Sequence, residues 1–264
     1  MVTAATTHIE RTIDIAGLTI RALEGGSGSP LVVLHHSNGN PGWLPIHELL
    51  ANGHAVLAPD MPGYGQSTRP EWAREPRDIA ILMNQALDRL ELTSGVSLLG
   101  LGFGGFIAAE MATMDQRRLQ SLTLVGAAGI QPSEGEILDQ MLVDFEDYVK
   151  AGFSSDTAYE HVFGTEVDPA VKQLWDFSRE MTARLAWKPY MFNRRLPELL
   201  REVQTPTLLI WGSRDVIVPL SAAHRYKASL PNARLEVVEG AGHLVELEQP
   251  ERVAELVAAH VASR

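Results

Sequence analysis

Two rhythms of apolar residues alternate along the chain. Short, β-branched runs bounded by Gly, Pro, Asn and Asp predict strands at His8–Ile15, Leu18–Leu23, Leu31–His35, Ala55–Ala58, Val96–Gly100, Ser121–Val125, Thr207–Trp211 and Arg234–Val238. Between them, apolar residues at helical spacing predict helices at Trp43–Ala51, Arg77–Leu90, Gly105–Met114, Ser221–Leu230 and Glu251–Val261. In the second of these the periodic positions are Ile79, Leu82, Met83, Ala86 and Leu90. The first two strands flank Ala16-Gly17 and read as a hairpin. The others are continuous apolar runs, as expected of strands buried on both faces of a parallel sheet. Alternation of this kind predicts an α/β protein with a mostly parallel sheet flanked by helices.

One stretch breaks the rhythm. Residues 131–203 contain no convincing strand, only helical patterns at Ile137–Val149, Ala170–Leu185 and Leu196–Val203. They also carry Trp175, Phe177, Met181, Trp187, Tyr190, Met191 and Phe192. An all-helical insertion so rich in large apolar side chains reads as a cap, with Trp175, Trp187 and Tyr190 expected over a pocket. The chain then divides into a core of residues 1–130 and 204–264 and a cap, or lid, of 131–203 between strands 6 and 7.

Composition narrows the chemistry. The 264 residues include no cysteine, which removes disulfides, thiolate metal sites and a cysteine nucleophile. A formal net charge of −11 argues against nucleic acid as a partner. The N-terminal residues have neither the basic start nor the apolar core of a signal peptide, and no apolar run approaches the length of a membrane span. A cytoplasmic protein with a small-molecule substrate or ligand, and no membrane partner, is the expectation.

The sharpest local feature is Gly100-Leu101-Gly102-Phe103-Gly104-Gly105, directly after an apolar run. It fits G-x-G-x-x-G, the phosphate-binding turn of dinucleotide sites. That motif needs an acidic residue at the end of the next strand, where this chain has Gly126-Ala127-Ala128. No cofactor is therefore implied. The same residues fit a nucleophile elbow, G-x-S-x-G, with Gly102 at the position of the serine.

Other motifs agree with the elbow. Val32-Val33-Leu34-His35-His36-Ser37-Asn38-Gly39 resembles the HG-x loop of the α/β-hydrolase superfamily, and Asp60-Met61-Pro62-Gly63-Tyr64-Gly65-Gln66-Ser67 its D-x-P-G-x-G-x-S turn. Trp211-Gly212-Ser213-Arg214-Asp215 resembles the turn that delivers the triad acid, and Gly240-Ala241-Gly242-His243 the turn that carries the triad histidine. The resemblance spans nearly the whole chain. It implies the α/β-hydrolase fold, with an eight-stranded, mostly parallel sheet and an inserted helical cap. It also implies His243 as base, Asp215 as its orienting acid, and an oxyanion hole from the N–H groups of Ser37 and Phe103.

Glycine at position 102 offers no side-chain oxygen, so no acyl-enzyme can form there. It would relieve the strained backbone of an elbow and open room beside His243 for water or substrate. Ser37 is the nearest hydroxyl that the topology nominates as a stand-in. His35 and His36 are adjacent and point opposite ways, so they share no metal, and His36 is expected to line the pocket. The other histidines lack context, no metal-binding spacing occurs, and Asp60 is expected to tie its own turn.

Three readings stay open. The chain is a hydrolase-like enzyme acting on an ester, lactone or dicarbonyl through a His–Asp base. Alternatively it is a non-catalytic binding protein, or an engineered serine-to-glycine form of a serine esterase or C–C hydrolase.

Overall fold

Ala16 and Gly17 both take positive φ, 48° and 77°. A two-residue primed turn requires this, and it joins β1 (Ile9–Ile15) to β2 (Leu18–Gly26) as an antiparallel hairpin. The structure is a computed structural model that describes residues 8–262. The remaining strands are β3 (Ser29–Leu34), β4 (His54–Pro59), β5 (Val96–Leu101), β6 (Leu119–Val125), β7 (Thr207–Gly212) and β8 (Ala233–Val238). They form one eight-stranded sheet in the order β1-β2-β4-β3-β5-β6-β7-β8, parallel from β4 onward and antiparallel at β1, β2 and the β2–β4 junction.

The helices are α1 (Pro45–Ala51), α2 (Pro76–Arg89), α3 (Phe103–Met114), α4 (Phe145–Ala151), α5 (Asp156–Phe163), α6 (Pro169–Ala186), α7 (Leu196–Leu200), α8 (Leu220–Ser229), α9 (Val245–Glu248) and α10 (Pro250–Ala262). The two-residue alternation of strand side chains sorts the core into two clusters. Val32, Leu34 and Leu98 face α2, α3 and α8, whereas Leu31, Val33 and Leu99 face α1 and α10. The sheet is thus covered on both sides, which explains the unbroken burial of β5 and β7. β8 departs from the expected buried run: it is the sheet edge, and Arg234 and Glu236 form an ion pair on it instead of packing into a core.

Four helices, α4 to α7, lie between β6 and β7. The helix expected at Ile137–Val149 begins only at Phe145, where the Asp144 carboxylate accepts from the Glu146 N–H. Upstream, the Leu138 N–H is committed to the Ile217 carbonyl across the chain and Asp139 caps Met141, which removes those residues from a helix. α5 and α9 are additional to the expected set. α5 starts on a Ser155 cap whose hydroxyl accepts from Ala158 N–H. Val149, Phe153, Tyr159, Val167 and Trp175 form a small separate core that also takes in Leu244. Among the described residues no helix is long and apolar enough to cross a membrane.

Candidate active site

The loops that follow β3, β5, β7 and β8 converge at the C-terminal edge of the parallel strands, the usual place for a site in an open α/β sheet. The turn after β5 is a single residue. β5 ends at Leu101 and α3 starts at Phe103, leaving Gly102 at φ +52° and ψ −109°, a conformation that strains any residue bearing a Cβ. Backbone bonds hold it: Gly102 N–H donates to Val125 O at 2.9 Å, and Gly102 O accepts from Gly105 and Ala128 at 3.1 Å each. Gly104 packs so tightly on the Leu34 carbonyl that no side chain fits, and its own N–H reaches His35 O at 3.0 Å. The glycines of this motif therefore serve close packing of α3 against β3 and β5.

His243 follows β8 in a loop pinned by the Gly242 N–H to Glu248 Oε1 bond of 2.7 Å and the Leu244 N–H to Gly152 O bond of 2.9 Å. Its Nδ1 lies 2.9 Å from Asp215 Oδ2. The other oxygen of Asp215 accepts from the N–H groups of Ile217 and Val218 at 2.9 and 2.8 Å, so the carboxylate is fixed from both sides. With the Nδ1 proton given to Asp215, Nε2 of His243 presents a lone pair. That nitrogen sits 3.0 Å from the point where a Cβ on residue 102 would stand.

The room expected beside His243 is already taken. Nδ1 of His36 lies still closer to the same Cβ point, well inside any permitted contact. The two rings meet edge-on, with centroids 5.1 Å apart and planes at 65°. His36 Nε2 donates to Glu246 Oε1 at 3.0 Å, and Glu246 is 1% exposed. Burial opposes ionisation of Glu246, but the charge and hydrogen bond of His36, with the charge of His243, outweigh it and hold its carboxyl below its ordinary value. Two carboxylate-backed imidazoles thus face one another over Gly102. Sequence reasoning passes over Glu246. Its signal is an acid embedded in the apolar run Leu244-Val245-Glu246-Leu247, three residues after His243.

Ser37 and Phe103 are both buried, and neither N–H has a backbone partner in the turns and loops of the described residues. The Ser37 carbonyl accepts from the Thr182 hydroxyl at 3.1 Å, and Tyr148 lines the same cavity as Ser37. Burial pushes the Tyr148 phenol well above its ordinary range, so it stays neutral. The cavity bounded by His36, Ser37, Tyr148, Val149, His243 and Leu244 measures about 10 Å³, room for a single water. A second void of about 30 Å³ lies behind His36 and touches Trp175 and Glu246.

The other residues expected to line the pocket fall differently. Trp175 is buried in the small core of α4–α6 and reaches only the second void. Trp187 is 56% exposed, because it follows the last turn of α6 and falls off the face on which Met181, Leu185 and Ala186 are buried. Tyr190 is tied by its hydroxyl to Gln140 N–H and Leu138 O. It lines a separate 740 Å³ cleft with Phe106, Arg194 and Arg195, whose walls include none of His36, Gly102, Asp215 and His243. His35 is structural: Nδ1 donates to His36 O, Nε2 accepts from Met61 N–H, and burial lowers its pKa. Asp60 holds its own turn through Gln66 N–H and Arg21.

Comparison with known proteins identifies the family and the fold. The profile described as "Alpha/beta hydrolase family" matches residues 31–256. The chain is 29% identical over 270 residues to 2-hydroxymuconate semialdehyde hydrolase of Pseudomonas sp. (strain CF600), covering 95% of this chain and 93% of the relative. It is 24% identical to 2-hydroxy-6-oxo-6-(2'-aminophenyl)hexa-2,4-dienoic acid hydrolase of Metapseudomonas resinovorans, covering 97% and 92%. Among solved structures, a meta-cleavage product hydrolase from Pseudomonas fluorescens IP01 superposes with a TM-score of 0.79 at 24% identity, covering 96% of this chain and 97% of the other.

Proposed function

The chain belongs to the alpha/beta hydrolase family, and from that premise we propose that it hydrolyses a small, largely apolar carbonyl compound by direct attack of water. The observation that carries this reading is the 2.9 Å His243–Asp215 contact, which leaves His243 Nε2 aimed at the space over a glycine. A base so oriented accepts a proton from water as the water oxygen attacks the carbonyl carbon, a contribution of about 10²–10⁴ in rate. The N–H groups of Ser37 and Phe103 hold the developing oxyanion, helped by the N-terminal dipole of α3, with each donor worth about 10²–10³. No acyl-enzyme intervenes, because Gly102 has no nucleophilic atom.

Esters, lactones and 1,3-dicarbonyl compounds have the electrophilic carbon this chemistry needs. Relatives named for hydrolysis of 2-hydroxymuconate semialdehyde and of a 2-hydroxy-6-oxo-dienoic acid favour the dicarbonyl end of that range. Residues 131–203 act as a cap in this account. With about 10 Å³ over the site, substrate enters only when Val149 and Tyr148 of α4 draw back from Leu244. The same small volume favours a second reading, a binding protein that does not turn over.

The test compares the protein with His243→Ala on short-chain aryl esters, lactones and 1,3-diketones. Turnover that disappears with His243 supports the hydrolase. Full turnover without His243 refutes it, and silence throughout, with a ligand-induced rise in Tm, selects the binding reading.

A further inference from the structure

We propose that His36, backed by Glu246, is a second catalytic group, the acid that protonates the leaving group while His243 acts as the base. This rests on the reading of His243 as the water-activating base.

Each imidazole is buried, and each spends the nitrogen facing away from the cavity on a carboxylate, His243 Nδ1 on Asp215 and His36 Nε2 on Glu246. The remaining nitrogens, His243 Nε2 and His36 Nδ1, converge on the one point above Gly102. His36 also uses the room that any side chain at residue 102 would need, so this site holds either a side-chain nucleophile or a second imidazole, not both. A buried ion pair kept only for packing is a poor stabiliser compared with apolar residues of like volume. Here the pair stands opposite a matching one, and the second oxygen of Glu246, Oε2, has no partner and lies beside the 30 Å³ void.

In the reacting form His36 carries a proton on both nitrogens. The water oxygen bonds to the carbonyl carbon, the water proton passes to His243 Nε2, and the carbonyl electron pair moves onto its oxygen. When that pair returns, the bond to the leaving group breaks with its electrons on the leaving atom, which takes the proton from His36 Nδ1. A water in the cavity then carries the proton from His243 Nε2 back to His36 Nδ1, restoring both groups. Besides Glu246 of α9, the titratable groups around His36 are His243 from the β8 loop, Tyr148 of α4, His47 of α1 and the neighbouring His35, with Asp215 behind His243, and the polar Ser37, Asn38 and Asn40 lie on its own loop.

His36→Gln keeps a donor for Glu246 and removes Nδ1. The probes are a p-nitrophenyl ester, whose leaving group departs without a proton, and the ethyl ester of the same acid, whose leaving group needs one. His36→Gln is expected to lower kcat/KM on the ethyl ester by 10²-fold or more and on the nitrophenyl ester by less than 10-fold. Glu246→Gln shifts the ratio in the same direction, and both variants lose the fall in activity at high pH that reports a required acid. Equal losses on the two esters, or none, would overturn the proposal while leaving the His243 reading intact. Wild-type protein that hydrolyses neither ester overturns this proposal, whereas activity on an ester, lactone or 1,3-diketone that survives His243→Ala overturns both.

Discussion

His36 and Gly102 share one space. The imidazole Nδ1 of His36 stands where a side chain on residue 102 would begin, and the backbone of Gly102, at φ +52°, already disfavours a Cβ. Two independent penalties therefore oppose any side chain at the elbow, one from strain and one from contact.

Gly102→Ala and Gly102→Ser are expected to destabilise the fold by about 2–5 kcal/mol, combining backbone strain with overpacking. Urea unfolding measures the cost. In a His36→Gly background the clash with His36 vanishes and the strain and the 3.0 Å approach of His243 remain, so Gly102→Ala costs at least about 1 kcal/mol less there. Additive effects of the two substitutions would contradict the shared-space account. For the same reason Gly102→Ser alone yields no working nucleophile, since its side chain must displace His36.

Asp215 fixes the tautomer of His243 and is itself held by the Ile217 and Val218 amides. Asp215→Asn retains an oxygen for those amides but presents the wrong partner to His243 Nδ1. Activity is expected to fall by about 10²–10⁴ with Tm little changed, read from kcat/KM and a thermal melt side by side.

Stability should depend on pH through His47. Burial lowers its pKa from 6.5 to about 4, and its Nδ1 accepts from Leu44 N–H at the start of α1. The unfolded chain takes up the proton at higher pH than the folded one. This histidine's contribution is therefore complete above about pH 6.5 and is lost as pH falls toward 4, up to about 3 kcal/mol in all. His35, also lowered by burial, adds in the same sense. Denaturant midpoints measured from pH 7 to 4.5 should fall steadily, and His47→Asn should flatten the slope; a slope unchanged by that substitution would count against this assignment.

Leu244 closes the 10 Å³ cavity against Val149. Leu244→Ala should cost about 2–5 kcal/mol of stability, as a large-to-small change in a packed cluster does, yet raise kcat/KM for the bulkier esters by admitting them. A drop in activity parallel to the drop in stability would mean that entry past this residue is not limiting.

The eight strands were legible because apolar β-branched runs between turn residues leave little choice in a parallel sheet. The elbow was legible because Gly100, Gly104 and Gly105 answer to contacts that any such turn makes. Other features were hidden for physical reasons. Nothing local forbids a helix at Ile137–Leu138; the tertiary bond from Leu138 to Ile217 prevents it. Trp187 is apolar yet exposed, because helical phase outranks residue type at the end of α6. The pairing of His36 with Glu246 joins positions 210 residues apart, and only the converging loops bring them together.

The central claim, water activated by His243–Asp215 with no covalent step, is tested most directly by rapid-quench intact-mass spectrometry during turnover of a p-nitrophenyl ester. The account predicts product release with the chain at its unmodified mass throughout, no burst of nitrophenolate, and loss of turnover in His243→Ala. An acyl adduct on the chain, at Ser37 or any other residue, would contradict it.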